Sequence, residues 1–424
     1  MNEIDVLIES YDMQRKRMES VAPAMCQWFD IVLMQIHASL PKQEGGLLMG
    51  CPVWGADYVD RMIRYSLPTL GTDKNLEALS GKAVIVFYGT KADRPIIWRA
   101  TRWLRQMNIH TVWRDIPLEL MQVLSQTAED KYAILSTVQN LLAIEAGHNG
   151  MALHMYMLDH LYQDGYFWNL ARLGGKYDAI VQQGCSVDVE SAAEDIEAWR
   201  QAGTGALSIP TQGIGAIILK HMHTRTSRTV MNGLDFPNQM PRSHQATWIG
   251  KDAIHMASAP QNIAWLSPQL CMDAPVAFTS TLDMLPPEYI PPGSAYMPGP
   301  DDGLSFCELS DPKRAAPPEL RVPGDMEGFI YRHWAQVGFT EDYMEYFANR
   351  CLIRIPEQPV GKYMPDEEIA AQHNHIIHAV MDGHVRSMKK MFRGQAPLRW
   401  PTEDEAKMQL ALAEHRIDAS KEAA

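Results

Sequence analysis

KAVIVFYGT (residues 82–90) is the stretch that decides the fold of this chain. Six consecutive apolar or aromatic residues stand between Lys82 and a Gly-Thr turn at residues 89–90. A short, uninterrupted apolar run that ends at a turn is typical of a β-strand buried on both faces. Such strands belong to sheets whose two faces are both covered by helices.

Further strands and helices alternate on either side of this run. Upstream lie a short apolar strand and a helix that ends at Pro68. Downstream, the predicted elements are a basic helix, a strand, a long apolar helix, a strand, a helix closed by two glycines, and a strand; their sequences are RPIIWRATRWLRQMN (94–108), IHTVWRDIP (109–117), DKYAILSTVQNLLAIEAG (130–147), MALHMYML (151–158), FWNLARLGGK (167–176) and YDAIVQQGCSV (177–187). This alternation over residues 45–187 predicts an α/β fold with a mainly parallel, Rossmann-like sheet and flanking helices.

The rest of the chain divides by composition. We expect a helical segment at 1–44, the α/β core at 45–290, a proline-rich loop or lid at 291–325, and a helical region at 326–424. Within the proline-rich part, LSFCEL (residues 304–309) reads as an ordered segment. No internal repeat is visible.

Charge and composition exclude several classes of protein. The 424 residues carry a net charge of -13, which argues against a general nucleic-acid-binding surface and leaves TRWLRQ (101–106) and HTRTSR (223–228) as local basic candidates. No apolar run is long enough for a transmembrane segment, and the charged N-terminus does not resemble a secretion signal. The six cysteines are widely spaced and predict reduced thiols, so we expect a cytoplasmic location.

An acidic residue ends the apolar run at 151–158. Ligand sites in open parallel sheets lie beyond the carboxyl ends of the strands, and Asp159 is expected there, followed by His160. Neighbouring residues of an extended chain point to opposite faces, so both side chains could serve one ion only if the backbone turns. The alternative for Asp159 is the N-cap of the next helix, and His160 and Asp164 also have structural interpretations.

Two segments of the core resemble a known family. The first is CPVWGADYVDRMIRYSLPTL (51–70), followed by NLEAL (75–79) and KAVIVFYGT. It resembles the opening of bacterial glycosyltransferase-like proteins. MALHMYMLDHLYQDGYFWNL (151–170) looks like the strand that brings a GT-A-fold glycosyltransferase to its D-x-D motif. The resemblance covers roughly residues 45–190.

This resemblance implies a GT-A-like core that transfers a sugar from a nucleotide-sugar donor to a glycan or lipid-linked acceptor, in bacterial surface glycan assembly. It implies that Asp159 helps to hold Mn²⁺ or Mg²⁺ against the donor diphosphate. Leu161 stands where the second aspartate of the motif would be, which puts metal dependence in doubt. Further metal ligands expected with Asp159 are His160, His255 and His223.

The remaining site candidates follow the strand ends. Trp54 and Tyr58 could stack on a base, and Thr90, Asp93 and Arg94 could meet ribose or phosphate. A packed aromatic residue and a polar turn are the respective structural alternatives. An inverting transfer needs a carboxylate base, for which Asp283 is the first candidate, with Asp252 and Glu308 as rivals.

Histidine clusters provide an alternative reading. His221 and His223 would share one face of a strand, beside Arg225 as a phosphate contact. A second cluster is formed by His373, His375 and His378, with Asp382 and His384 beyond it. The alternatives to an active glycosyltransferase are therefore an inactive relative acting as a binding or scaffold protein, and a histidine-based metal-dependent hydrolase. GxSxG, P-loop, HExxH and dinucleotide-binding glycine motifs are absent from the sequence.

Overall fold

A computed structural model describes residues 23–39, 45–118, 120–121, 128–232, 235–237, 246–257, 262–273, 295–314, 321–323, 350–356, 363–375 and 377. Its strands are β1 Leu47–Val53, β2 Ala83–Gly89, β3 His110–Asp115, β4 Ala152–Met155, β5 His160–Tyr162, β6 Ala179–Gln182, β7 Cys185–Asp188, β8 Asp235–Pro237, β9 Ala246–Ile249, β10 Ala253–Ala257, β11 Asn262–Leu266, β12 Ala295–Tyr296, β13 Phe306–Ser310, β14 Arg321–Pro323 and β15 Cys351–Arg354.

The helices surround these strands. They are α1 Pro23–Ser39, α2 Ala56–Arg61, α3 Leu67–Leu70, α4 Asp73–Leu79, α5 Arg94–Ala100, α6 Arg102–Gln106, α7 Ala128–His148, α8 Tyr166–Gly174, α9 Val189–Glu197, α10 Thr211–Lys220, α11 Thr224–Ser227 and α12 Pro268–Asp273. A π-helical turn, Met62–Ser66, joins α2 to α3, and residues 366–375 are also helical. No helix in the described parts of the chain combines the length and the apolar character that a membrane crossing requires.

The predicted parallel sheet is confirmed. A central sheet of seven strands has the order β12-β6-β11-β4-β1-β2-β3, and β1 is parallel to both β2 and β4. Every residue of β1 and β2 is buried, as expected for strands covered on both faces. Alternate side chains enter two different cores: Leu48, Val84 and Val86 pack on the α1 and α7 side, and Met49, Ile85 and Phe87 on the other.

The carboxyl ends of β1 and β2 lie side by side. Val53 is paired with Gly89, and a Cβ atom at Gly89 would overlap the carbonyl oxygen of Val53 and the ring of Trp113. Glycine is therefore required where the Gly-Thr turn begins. Strand β4 ends earlier than β1. Its last residue, Met155, is paired with Gly50 in the middle of β1. The chain then crosses the sheet edge through residues 156–159 before β5 begins.

Several elements differ from the sequence-based expectation. The run 151–158 forms a strand only to Met155, and β11 enters the sheet antiparallel between β4 and β6. In the segment expected to be a loop or lid, β12 joins the central sheet and β13 forms a small sheet of three strands with β5 and β7. In the region expected to be helical, Cys351–Arg354 is a strand paired with β10. These pairings join residues distant in sequence, which local patterns do not reveal.

Candidate active site

The small sheet places Asp159 beside Glu308. Strand β13 runs antiparallel to β5, with Glu308 opposite His160, and the amide of Leu309 donates to the Asp159 carbonyl oxygen at 2.7 Å. Asp159 itself lies in the turn that precedes β5 and is partly buried. Two carboxylates from segments far apart in sequence thus meet beyond the end of β4.

Glu308 is held by three hydrogen bonds. Arg225 donates to its Oε1 at 2.9 Å, Ser310 donates to the same oxygen at 3.2 Å, and Ser186 donates to its Oε2 at 3.2 Å. The side chain of Glu308 remains 31% exposed and that of Arg225 56% exposed. This carboxylate is fixed in place and faces solvent beside an accessible guanidinium group.

A second arginine lies at the same site. Arg61 is the last residue of α2, next to the π-helical turn, and its Nη1 donates to the carbonyl oxygen of Leu309 at 3.3 Å. Its Nη2 lies 3.6 Å from Oδ2 of Asp311, and its guanidinium group sits 5.4 Å from the centre of the Tyr58 ring. π-Helical turns are frequent at functional sites because they shift side chains out of the regular helical register.

The electrostatics of the site change the protonation of Asp159. Burial, followed by the negative charge of Glu308, raises the pKa of Asp159 from 3.8 to about 7, against the opposite effects of Arg61 and Arg225. Two carboxylates that share a site cannot both ionise easily. A carboxyl group with a pKa near 7 can accept and release a proton under neutral conditions, as a general base requires.

His223 supports this cluster through its ring nitrogens. Its Nδ1 accepts from the backbone amide of Arg225 at 3.2 Å, and its Nε2 lies 3.3 Å from the carbonyl oxygen of Asp311. The first contact requires an unprotonated Nδ1, so Nε2 donates to Asp311. Burial lowers the pKa of His223, which favours this neutral ring. His223 caps the start of α11, which carries Arg225, and ties it to the backbone at Asp311.

The other expected metal ligands lie apart from Asp159. The ring of His160 is buried against Phe306, with 4.6 Å between ring centres, and burial lowers its pKa to about 3. His255 lies on β10, where its Nε2 is 3.6 Å from Asp366, and burial followed by Arg350 lowers its pKa to about 4.

The expected set of Asp159, His160, His223 and His255 does not assemble around one point. In the described ranges, no group of three or more His, Cys, Asp or Glu side chains is arranged to hold a metal ion. The residues present do not fit the metal site that the resemblance implies, and metal dependence stays a prediction.

The candidate donor-binding residues follow β1 and β2 but face different ways. Trp54 packs against the core on the α1 and α7 side, whereas Tyr58 packs against the opposite core. Thr90 donates to Oδ2 of Asp93 at 2.7 Å, and both hold the turn that starts α5, whose first residue Arg94 is exposed. Of these five residues, Tyr58 is linked to the cluster, through Arg61.

Of the candidate bases, Glu308 lies in the cluster. Asp252 is exposed in the turn between β9 and β10, and its carbonyl oxygen accepts from the amide of Ile355 at 2.9 Å. Asp283 lies outside the described residues.

The histidine pair at 221 and 223 is not on a strand. His221 caps the end of α10, where its Nε2 lies 2.8 Å from Asp195 and its Nδ1 lies 3.1 Å from Oγ of Ser191. Lys220 also pairs with Asp195, at 2.7 Å, so this chain of hydrogen bonds ties α10 to α9. The two histidines therefore serve different neighbours.

The second histidine cluster is also spread out. His373 is buried with its ring 5.6 Å from that of Trp248, whereas His375 is exposed. The remaining members, His378, Asp382 and His384, lie outside the described residues.

The sequence reasoning missed Arg61, Asp311, Ser186 and Ser310. Arg61 is a charged residue of a short helix, yet it is only 9% exposed, because β13 and the residue after it cover its side of the helix. The nearest available signal was LSFCEL, an ordered apolar segment in a proline-rich region that carries Glu308. The pairing of this segment with β5 and β7 was not specified by the local sequence.

No family model matches the chain, and no curated protein is similar to it. Among solved structures, the chain is similar to the apo form of mouse xyloside xylosyltransferase 1, with 15% identical residues and a TM-score of 0.24. The similarity covers 38% of this chain and 61% of that structure, so the chain spans less than two thirds of that protein's length. A likeness at this TM-score supports no conclusion about fold or activity, so both rest on the geometry described above.

Proposed function

We propose that the chain transfers a glycosyl group from a nucleotide-sugar donor, with the reaction at the cluster of Asp159, Glu308, Arg61 and Arg225. The observation that carries this proposal is the convergence of two carboxylates, Asp159 and Glu308, with Arg61 and Arg225 beyond the end of β4, where Arg225 pairs with Glu308 at 2.9 Å and the pKa of Asp159 is raised. Such a site combines a proton acceptor with cations, the two requirements of transfer from a diphosphate donor.

Asp159 has the role of general base in this proposal. An acceptor hydroxyl group becomes a stronger nucleophile as its proton passes to a carboxylate within hydrogen-bond distance. Glu308 sets the proton affinity of Asp159, because its negative charge raises the Asp159 pKa, while its own oxygens are occupied by Arg225, Ser310 and Ser186. This division of labour makes Asp159, rather than Glu308, the carboxylate that takes the proton.

Arg225 has the role of binding the donor diphosphate, and the buried Arg61 adds positive charge behind it. A guanidinium group forms paired hydrogen bonds with phosphate oxygens and keeps its charge throughout the reaction. Arg225 is the more accessible of the two and has one of its two terminal nitrogens on Glu308. These arginines supply the charge that stabilises a departing diphosphate, so the proposed chemistry includes no step on a metal ion.

The resemblance to bacterial glycosyltransferase-like proteins makes surface glycan assembly the setting that we propose, with a glycan or a lipid-linked glycan as acceptor. The histidine-based hydrolase is not favoured, because His221 and His223 are engaged by separate neighbours. An inactive binding or scaffold protein remains the alternative that the experiment below separates.

The test is release of nucleotide from a panel of nucleotide sugars by the purified protein, with and without Mn²⁺. We expect turnover with at least one donor, an increase in rate as the pH rises through about 7, and a loss of about 10²–10⁴-fold in Asp159→Asn. The matched control is Asp164→Asn, which changes a carboxylate that accepts from Ser208 at 3.2 Å and should retain activity.

Turnover that Asp159→Asn leaves unchanged would contradict the assignment of the base. Binding of a nucleotide sugar without turnover on any offered acceptor or water would favour the scaffold alternative.

A further inference from the structure

A second surface, distinct from the candidate active site, is strongly basic. Residues 91–107 contain five Lys or Arg residues and one Asp, which gives a local charge of +4 in a chain of net charge -13. The cations are Lys91, Arg94, Arg99, Arg102 and Arg105. No ion pair between them and a carboxylate is found in the part of the chain that the structure describes.

The fold turns most of these cations outward. Helices α5 and α6 are joined at Thr101, and their inner face carries Ile97, Thr101 and Leu104, which are all fully buried. The side chains of Arg94, Arg99 and Arg102 are exposed on the opposite face, together with Lys91. We name this outward face of residues 91–107 the α5–α6 face.

Large apolar side chains stand among the cations of this face. Ile96 is 52% exposed, Trp98 is 39% exposed and Met107 is 44% exposed. Isolated exposed apolar residues are ordinary, but here three of them share a short segment with five cations. Tryptophan in particular favours the boundary between an apolar medium and water.

Trp98 is fixed in its exposed position by Arg105. The guanidinium group of Arg105 lies 4.1 Å from the centre of the indole ring, and its Nη2 donates to the carbonyl oxygen of Trp98 at 2.8 Å. Its Nη1 donates to the hydroxyl groups of Thr101 at 3.3 Å and Thr111 at 3.0 Å. These contacts hold the indole ring on the surface of the protein.

The cations are also close enough to affect one another. Burial, followed by the positive charge of Arg102, lowers the pKa of Arg105. Bringing like charges together costs free energy unless an anionic partner offsets their repulsion. The arrangement is therefore complementary to a surface that is both negatively charged and apolar beneath its charged layer.

We propose that the α5–α6 face binds the surface of a membrane that contains anionic lipids. Arginine side chains attract anionic headgroups, while Ile96, Trp98 and Met107 enter the interfacial layer between headgroups and acyl chains. A nucleic acid fits less well, because it offers no apolar layer that Ile96 and Met107 could enter. The inference does not depend on the proposed glycosyl transfer.

The test is co-sedimentation of the full chain with vesicles of phosphatidylcholine alone or mixed with phosphatidylglycerol. We expect binding to the anionic vesicles that weakens as salt is added, because ions screen the attraction. The double substitution Arg99→Glu, Arg102→Glu should weaken binding by at least 25-fold, at about fivefold for each cation removed. The single substitution Trp98→Ala should also weaken vesicle binding, without changing how that binding depends on salt.

Helix α8 offers matched controls, because it carries exposed Trp168 and exposed Arg172, with exposed Lys176 just beyond its end. The substitutions Arg172→Glu with Lys176→Glu, and Trp168→Ala, should leave vesicle binding unchanged. Circular dichroism melts of all variants separate loss of binding from loss of folding.

Three results would overturn the proposal. The first is that the chain does not sediment with anionic vesicles at low salt. The second is that the α8 control variants lose as much vesicle binding as the α5–α6 variants. The third is that a single-stranded oligonucleotide binds to the same arginines more tightly than the vesicles do. The last result would identify the face as a nucleic-acid site instead.

Discussion

Replacing the Asp159 carboxylate with the neutral amide in Asp159→Asn should make the folded protein more stable at neutral pH. Burial and the charge of Glu308 raise the pKa of this group from 3.8 to about 7, so ionisation is less favourable in the folded state than in the unfolded state. At about 1.4 kcal/mol for each pH unit of displacement, the cost reaches about 4 kcal/mol as an upper bound. Because the carboxylate is partly exposed and screened, we expect a gain of about 2 kcal/mol, roughly half of this bound.

The sign of the pH dependence follows from proton binding. Between pH 3.8 and about 7, the folded protein retains a proton at Asp159 that the unfolded chain has lost, so stability falls as the pH rises. Above about pH 7 the full cost is present. The stability advantage of Asp159→Asn should therefore be absent near pH 4, grow through this window and reach its full size by pH 8.

Chemical denaturation at pH 5 and pH 8 measures this difference. The matched control is Asp195→Asn, because hydrogen bonds from Lys220 and His221 lower the pKa of Asp195. The Asp195 pKa lies below 3.8, so removal of that carboxylate should reduce stability at both pH 5 and pH 8, and the effect should disappear only in stronger acid. A variant Asp159→Asn that is less stable than the original chain at pH 8, or whose advantage does not depend on pH, would refute the reasoning.

Three further substitutions test other parts of the structure. Glu308→Gln removes the charge that raises the pKa of Asp159, so the acid limb of the rate profile should move to lower pH, and an unmoved limb would disconnect the two groups. Glu145→Gln removes the carboxylate that lies 2.7 Å from the almost fully buried guanidinium group of Arg114. We expect a loss of about 3–5 kcal/mol in denaturant unfolding, largely recovered by adding Arg114→Met, and no recovery would mean that the ion pair is not the cause. Gly89→Ala forces a methyl group against the neighbouring strand and should lower the free energy of unfolding by about 1–3 kcal/mol, more than an ordinary surface change does. The melting temperature should fall accordingly, and an unchanged melting temperature would show that the strands separate freely there.

The central sheet was predictable because the local sequence pattern of several of its strands is typical of buried strands. The run at 82–90 contains only apolar or aromatic residues between Lys82 and its closing turn, and such runs form buried parallel strands when helices separate them. Strand β11 was not found, because NIAWL (262–266) reaches its position between β4 and β6 through pairing that no local pattern encodes. The same limit applies to β13, which the composition placed in a loop region.

The candidate site was predictable in part. Asp159 stands out because an apolar run ends on it, and Arg225 and Glu308 were already candidates. Their meeting depends on β13 pairing with both β5 and β7, a long-range event. His160 was expected to bind the same ion as Asp159 because the two residues are adjacent in sequence. Side chains alternate along an extended chain, however, and the ring of His160 packs into the aromatic core.

The most direct test of the proposed site is binding of nucleoside diphosphates, measured as a thermal shift, to the original chain and to Arg225→Met. A ligand that binds the folded state must raise the melting temperature. The matched control is Arg64→Met, because Arg64 is 53% exposed on the helical segment that carries Arg61 and pairs with Asp60 at 3.8 Å. We predict a shift with at least one nucleoside diphosphate that persists in Arg64→Met and is lost in Arg225→Met. The absence of any shift, or a shift that Arg225→Met retains in full, would contradict a donor site at the Asp159 cluster.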